Sequence, residues 1–134
     1  MDVVRSVCAA LNDCDLEAMA RLYDPDVVWE DLQPMPDQEP VVVGFDAVIA
    51  TFRLYLDSFA RFEAHLIDAE DIGGDAAIGT VDWKATGTGS GAPIVRRTVD
   101  VMWVRDGVIT HYISGFESKD DGLRAISDDR RPAG

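Results

Sequence analysis

Ile94-Val-Arg-Arg-Thr-Val-Asp100-Val-Met-Trp-Val-Arg-Asp-Gly107-Val-Ile-Thr-His111-Tyr-Ile-Ser-Gly-Phe116-Glu-Ser118 is the stretch whose reading decides the fold. Two apolar, alternating runs meet at Arg105-Asp106-Gly107, and an Asp-Gly step between such runs is the strongest short-range signal for a hairpin. One charged residue, Asp100, stands between Val99 and Val101 in the middle of the first strand. A strand centre is usually at least half buried, and a buried carboxylate costs several kcal/mol unless it is partnered or protonated. The functional reading therefore turns on whether Asp100 faces a pocket or water.

Upstream, residues 76–88 and 63–72 read as two further strands joined by the turn Gly73-Gly74-Asp75, and Gly87 to Pro93 forms the loop into the hairpin. Before them lies the clearest helix, capped by Asp46, with Ile49, Phe52, Leu56 and Phe59 on one stripe and Val48, Tyr55 and Phe62 beside it. A face that broad must cover a sheet. Val27 to Asp31 is a short strand, and Gln33 to Pro40, with three of the six prolines, is a loop. Asp2 caps a first helix with the stripe Val3, Val7, Ala10 and Leu11; Asp15 caps a second over residues 16–23, which Asp24-Pro25 ends. A short amphipathic segment around Leu123, Ala125 and Ile126 follows the hairpin.

Helices placed before a run of antiparallel strands predict an α+β fold, with the helices on one face of a curved sheet. The expected organisation is one domain over residues 1–127 and a disordered tail over 128–134. A long helix laid across a bent sheet leaves a cavity at the open end, a natural small-molecule site.

The formal charge of −13, from 25 acids against 12 bases in 134 residues, would repel a phosphate backbone or an anionic leaflet. Nucleic acid and membrane are therefore not the expected partners. The apolar runs are too short to cross a bilayer, and a cytoplasmic location is expected. Cys8 and Cys14 match no metal motif and read as reduced thiols; His65 and His111 have no Cys or acid at ligand spacing, so no metal site is expected.

Ala9-Ala-Leu-Asn-Asp-Cys-Asp15-Leu16 and Leu22-Tyr-Asp-Pro-Asp-Val-Val-Trp-Glu-Asp31 resemble the opening of the nuclear transport factor 2-like superfamily, specifically its SnoaL-like polyketide cyclases and ketosteroid isomerases. Gly44, the Gly87-Thr-Gly-Ser-Gly91 loop and Arg105-Asp106-Gly107-Val-Ile continue the resemblance over nearly the whole chain. It implies a conical barrel in which a curved, mainly antiparallel sheet wraps around a long helix and an N-terminal helix pair. It also implies a homodimer packed through the sheet and chemistry without a cofactor. By position, the resemblance makes Asp31 the general base and Asp100 the acid of an oxyanion hole, a carboxyl kept neutral by an apolar site. Val7 stands where the isomerases carry their oxyanion tyrosine, and Tyr55 or Tyr112 is the candidate replacement donor. The cyclases share the ending Gly107-Val-Ile-Thr-His111-Tyr112, although Phe116-Glu117 stands where their acid is expected. A limonene-epoxide hydrolase arrangement would group Asp82, Arg96 and Asp100.

Asp31, Asp100 and Tyr112 are thus the candidate catalytic residues, and two carboxylates in one apolar pocket push their proton affinities apart. The bland alternative has Asp31 capping the turn into the proline loop and Asp100 pairing with Arg96. Val7, Trp29, Phe52, Tyr55, Phe59, Met102 and Phe116 are the candidate lining, suited to a flat, largely apolar ligand. Strand alternation puts Tyr112, Ser114 and Phe116 on one face and Ile109, His111 and Ile113 on the other, with Arg96 and Arg97 on opposite faces of their strand. The function expected is a cofactor-independent acid–base enzyme acting on a small hydrophobic carbonyl compound, by isomerisation or aldol-type cyclisation. The alternatives are a non-catalytic ligand-binding or dimeric scaffold protein and an epoxide hydrolase.

Overall fold

The central hairpin forms where the Asp-Gly step predicts it. In a computed structural model describing residues 3–34, 38–59, 61–73, 75–87 and 93–133, with the side chains of Tyr55, Leu56 and Pro93 outside that description, strands β5 (Pro93–Arg105) and β6 (Val108–Phe116) flank a two-residue turn. Asp106 and Gly107 have φ of 53° and 83°. Two consecutive left-handed residues are what a type I′ turn requires, and its twist matches that of the strands.

The remaining elements are α1 (Val3–Asn12), α2 (Leu16–Leu22), β1 (Tyr23–Asp31), β2 (Val41–Val43), α3 (Phe45–Ser58), β3 (Arg61–Ile72), β4 (Ala76–Thr86) and α4 (Lys119–Ser127). The six strands form one sheet in the order β2-β1-β6-β5-β4-β3. Every pairing is antiparallel except β1 with β6, which is parallel. The sheet is open, with β2 and β3 at its edges, so the conical wrap does not close into a barrel.

Several boundaries differ from the sequence expectation. β1 begins at Tyr23, four residues early, because a register shift between Tyr23 and Val28 lets the chain pass Asp24-Pro25 and continue as strand. β2 was not expected; it adds an edge to β1 through Val41, Val42 and Val43. The N-cap of α3 is Gly44 (φ 94°), and Asp46 lies inside the first turn, where a carboxylate still complements the helix dipole. α3 ends at Ser58, so Phe59, expected on its stripe, is extended backbone beyond the helix. Asp2, residues 35–37 of the proline loop, Gly74, residues 88–92 of the loop before the hairpin and Gly134 lie outside the described residues. Asp15 caps α2 as expected, its carboxylate accepting from Ala18 N at 3.0 Å.

Each face of the sheet carries its own core. α1, α2 and α3 cover one face, where Val4, Val7, Leu11, Met19, Val48 and Phe52 pack on Val81, Met102 and Tyr112. A Cβ on Gly79 would lie 2.6 Å from Val4 Cγ1, so glycine is what allows α1 to seat this closely on β4. On the other face α4 packs Ala125, with Leu123 and Ile126, against Ile78, Val99, Val101 and Trp103. After α4, Arg130 N donates to Ala125 O at 2.9 Å, and the Arg131 guanidinium lies 6.0 Å from the Trp103 ring.

One irregularity matters for the site. Val99 pairs with Phe116 and Val101 with Ile113, so Asp100 alone faces the two residues Ser114 and Gly115. This bulge, with Gly115 at φ 108°, shifts the alternation of β6 by one. Tyr112 stays on the α1–α3 face, whereas Phe116 turns to the α4 face and packs with Val99 and Val101. The expectation that Phe116 shares a face with Tyr112 is corrected by that one extra residue.

Candidate functional site

At the end of the sheet beyond α3 lies a cavity of about 180 Å³. Its walls are aromatic: Trp29 from β1, Phe52 and Phe59 at α3 and its end, Phe62 from β3 and Trp83 from β4. Phe59 and Phe62 stack at 6.1 Å and Phe62 and Trp83 at 5.7 Å, while Trp29 meets Phe52 edge-on at 5.7 Å. Its polar groups are few: Asp31, Arg96, Thr98 and Ser114, with Gln33 at the edge. A mostly apolar hollow with a small convergent polar set is the usual form of a small-molecule site.

Asp31 closes β1 and is 9% exposed. Its Oδ1 accepts from Gln33 N at 2.8 Å and its Oδ2 from Gln38 Nε2 at 3.3 Å. The carboxylate thus caps the turn into the proline loop and lines the cavity as well. The two readings of Asp31 are not exclusive.

Asp100 has no exposed surface. Four donors surround its carboxylate: Tyr112 Oη at 2.6 Å on Oδ2, and Thr98 Oγ1 at 2.8 Å, Ser114 Oγ at 3.0 Å and Gly115 N at 3.2 Å on Oδ1. The alternative pairing with Arg96 is not formed; Arg96 reaches Gln33 O at 3.2 Å instead. Burial pushes the Asp100 carboxyl up to about 6, and the bonds from Tyr112, Thr98, Ser114 and Gly115 pull the other way. Desolvation wins because all four donors are neutral dipoles. Burial and the nearby Asp100 hold the Tyr112 phenol well above its ordinary value, so it is a neutral donor. The Cys8 thiol, buried in the same region, is pushed up to about 11 by burial and then by Asp100, so it is an inert thiol.

The Tyr23 hydroxyl and Trp29 Nε1 are buried, and neither meets hydrogen-bond geometry with a described group. Burial raises the Tyr23 phenol, with a smaller opposing pull from Trp29, so the two groups lie near each other without alignment.

Other sequence candidates fall elsewhere. Val7 and Met102 are packed in the core beneath α1 and α3 and do not line the cavity. Tyr112 stacks on Trp29 at 5.0 Å and lies behind the wall, as Asp100 does. The picture of both acids opening into one hollow is therefore corrected: Asp31 lines it, and Asp100 sits one layer back. Phe116 borders a separate surface groove with Leu32 and Arg124. The Tyr55 side chain is outside the described residues. Asp82 is on the opposite face, held by Arg97 at 2.7 and 3.0 Å, so the Asp82–Arg96–Asp100 group of an epoxide hydrolase is not assembled. His111 packs edge-on against Trp103 at 6.5 Å, and burial with the nearby Arg131 lowers its pKa. His65 pairs with Glu63 at 2.9 Å at the sheet edge.

Thr98, Ser114, Phe62 and Trp83 were missed as site residues. Thr98 was readable by period two from Asp100, and Ser114 from Tyr112. Nothing local marks Phe62 and Trp83 as cavity rather than core. Among the described residues no group of three or more His, Cys, Asp or Glu side chains could hold a metal ion, and no helix is long and apolar enough to cross a membrane.

An open sheet covered by a helix pair and a longer helix, with an aromatic cavity at its uncovered end, places this chain among the small α+β proteins of the nuclear transport factor 2-like superfamily. It belongs to the SnoaL-like domain family, whose model matches residues 4–112. No curated protein matches the chain. Among solved structures it is similar to Bal32a from a soil-derived mobile gene cassette, with 20% identity, a TM-score of 0.78 and coverage of 87% of this chain and 88% of that one. It is also similar to TerC co-crystallised with polyporic acid, at 16% identity and a TM-score of 0.75 over 94% of this chain and 96% of that one. A third is IdmH from Streptomyces antibioticus, a proposed polyketide cyclase, at 19% identity and a TM-score of 0.72 over 95% and 96% of the two chains. At these identities the likeness establishes the fold.

Proposed function

We propose that the chain is a cofactor-independent acid–base enzyme acting on a small, flat, largely apolar carbonyl compound, by isomerisation or aldol-type cyclisation. The observation that carries this reading is a pair of carboxyls on β1 and β5, the two strands that flank β6, in different environments at one aromatic cavity. Asp31 sits at the wall with backbone and amide donors, and Asp100 lies one layer behind with its carboxyl raised to about 6. Burial brings Asp100 close to carrying a proton, and Asp31 at the wall is the carboxylate that would accept one, the division of labour that enolisation needs. The polyketide cyclase role proposed for IdmH and the co-crystallisation of TerC with polyporic acid support a cyclic carbonyl-type ligand.

A second reading, ligand binding without chemistry, is favoured by one fact: Asp100 is fully enclosed and offers no surface to a substrate. Deuterium exchange separates the two. With 2-tetralone in D₂O, the enzyme reading expects α-carbon exchange above the buffer rate, about 10²-fold or more, lost in Asp31→Asn. Binding of 2-tetralone without accelerated exchange supports the second reading and refutes the first. Absence of binding refutes both.

A further inference from the structure

Asp31 of β1, Ser114 of β6 and Asp100 of β5 form a row across three adjoining strands. Asp31 pairs with Ser114 in the parallel register, and Asp100 faces Ser114 across the bulge. Ser114 is the middle member. It lines the cavity, while its Oγ donates to Asp100 Oδ1 at 3.0 Å.

The other wall hydroxyl on Asp100 is committed. Trp83 Nε1 donates to Thr98 Oγ1 at 2.7 Å, and Thr98 Oγ1 donates its one proton to Asp100 at 2.8 Å. Tyr112 reaches Asp100 from behind the wall. Among the described residues, Ser114 is therefore the hydroxyl at both the buried carboxylate and the cavity with no donor on either lone pair, whereas Thr98 has one taken by Trp83. A hydroxyl carries one donor and two lone pairs; with its proton held by Asp100, Ser114 Oγ can meet a ligand only as an acceptor.

Resting on the acid–base reading above, we propose that Ser114 is a ligand-contacting residue, whose Oγ accepts a hydrogen bond from a hydroxyl carried on the ring system in the cavity, a phenol or an enol. Asp100 acts through it as a positioning residue, fixing the direction of the serine proton. Asp31, beside Ser114 on the same wall, faces the same end of the ligand. The consequence for chemistry is differential binding: an enol carries the hydroxyl that Ser114 accepts from, and its parent ketone does not. An interaction made with the enol alone favours the bound enol over its parent ketone. Ser114 lies two residues beyond the family-model match, which ends at Tyr112.

The test is a cycle between one ligand hydroxyl and one protein hydroxyl. 2-Naphthol and 2-methoxynaphthalene share a ring system, and only the first can donate. Each is titrated at pH 8 into wild type, Ser114→Ala and Ser114→Thr by quenching of Trp29 and Trp83, which line the cavity. The expected result is about tenfold tighter binding of 2-naphthol to wild type, a preference lost in Ser114→Ala and retained in Ser114→Thr. A preference that survives Ser114→Ala places the acceptor elsewhere and overturns the inference. Equal binding of both probes by wild type also overturns it and leaves the proposed function standing, whereas failure of both probes to bind removes the cavity reading itself.

Discussion

Replacing Asp100 by Asn tests the central electrostatic claim without any substrate. The carboxyl is held at about 6 against an ordinary 3.8, a difference of roughly two units, and each unit is worth about 1.36 kcal/mol. Ionised Asp100 therefore costs the fold about 3 kcal/mol once the pH is well above 6. The sign follows from proton counting. Between the two values the native state binds more protons than the unfolded chain, so stability falls as pH rises through that window and levels off above it. Asn has no such dependence. Its Oδ1 can accept from Thr98, Ser114 and Gly115, and the Tyr112 hydroxyl can rotate to accept from its Nδ2; whatever this exchange costs is the same at every pH. The stability of Asp100→Asn minus that of wild type should thus rise with pH by about 3 kcal/mol in all, roughly half of it between pH 5 and pH 8. Working in that half avoids the isoelectric region near 4.3, where low net charge favours precipitation. Urea melts at four pH values, followed by the fluorescence of Trp29, Trp83 and Trp103, supply the differences. A difference that is flat with pH, or that falls, would show that the four hydrogen bonds outweigh burial and that Asp100 is an ordinary anion.

Three further outcomes follow from the packing. Gly79→Ala should cost about 1–3 kcal/mol in a urea melt, because its Cβ would stand 2.6 Å from the stiff Val4 side chain, and adding Val4→Ala should recover most of the Gly79→Ala loss. Asn12→Ala should cost about 1–3 kcal/mol and speed amide exchange at Ala64, since the Asn12 side chain both accepts from Ala64 N and donates to Ala64 O at 2.7 Å on the edge strand. Trp83→Phe should raise the Asp100 titration midpoint, read by carboxyl ¹³C NMR, because Thr98 Oγ1 is then no longer held as a donor toward the carboxylate.

How far the site could be read in advance depends on which kind of order each residue obeys. The hairpin turn and the α2 cap follow from short-range rules, and each is where those rules put it. The parallel pairing of Asp31 with Ser114 joins distant segments and leaves no mark in either. The bulge did leave one: an isolated glycine before Phe116, in a run otherwise alternating, is a bulge signal, and taking it would have moved Phe116 to the α4 face.

Depth is the harder quantity. Arg96, Thr98, Asp100 and Met102 all lie on the helix-covered face of β5, yet Arg96 and Thr98 line the cavity while Asp100 and Met102 are sealed. Periodicity assigns a face; the point along the strand where the cover stops is set by tertiary packing. α3 ends at Ser58 and the chain leaves as extended backbone at Phe59, so the side chains of Trp83, Thr98 and Ser114 are left at the cavity. Along β5, Asp100 is the first sealed residue on this face beyond Thr98, where it loses water yet still reaches the hydroxyls of two cavity-lining residues. One row farther out, solvent would leave it an ordinary carboxylate; one row deeper, no wall hydroxyl would connect it to a ligand. Its value to the site comes from standing at that boundary.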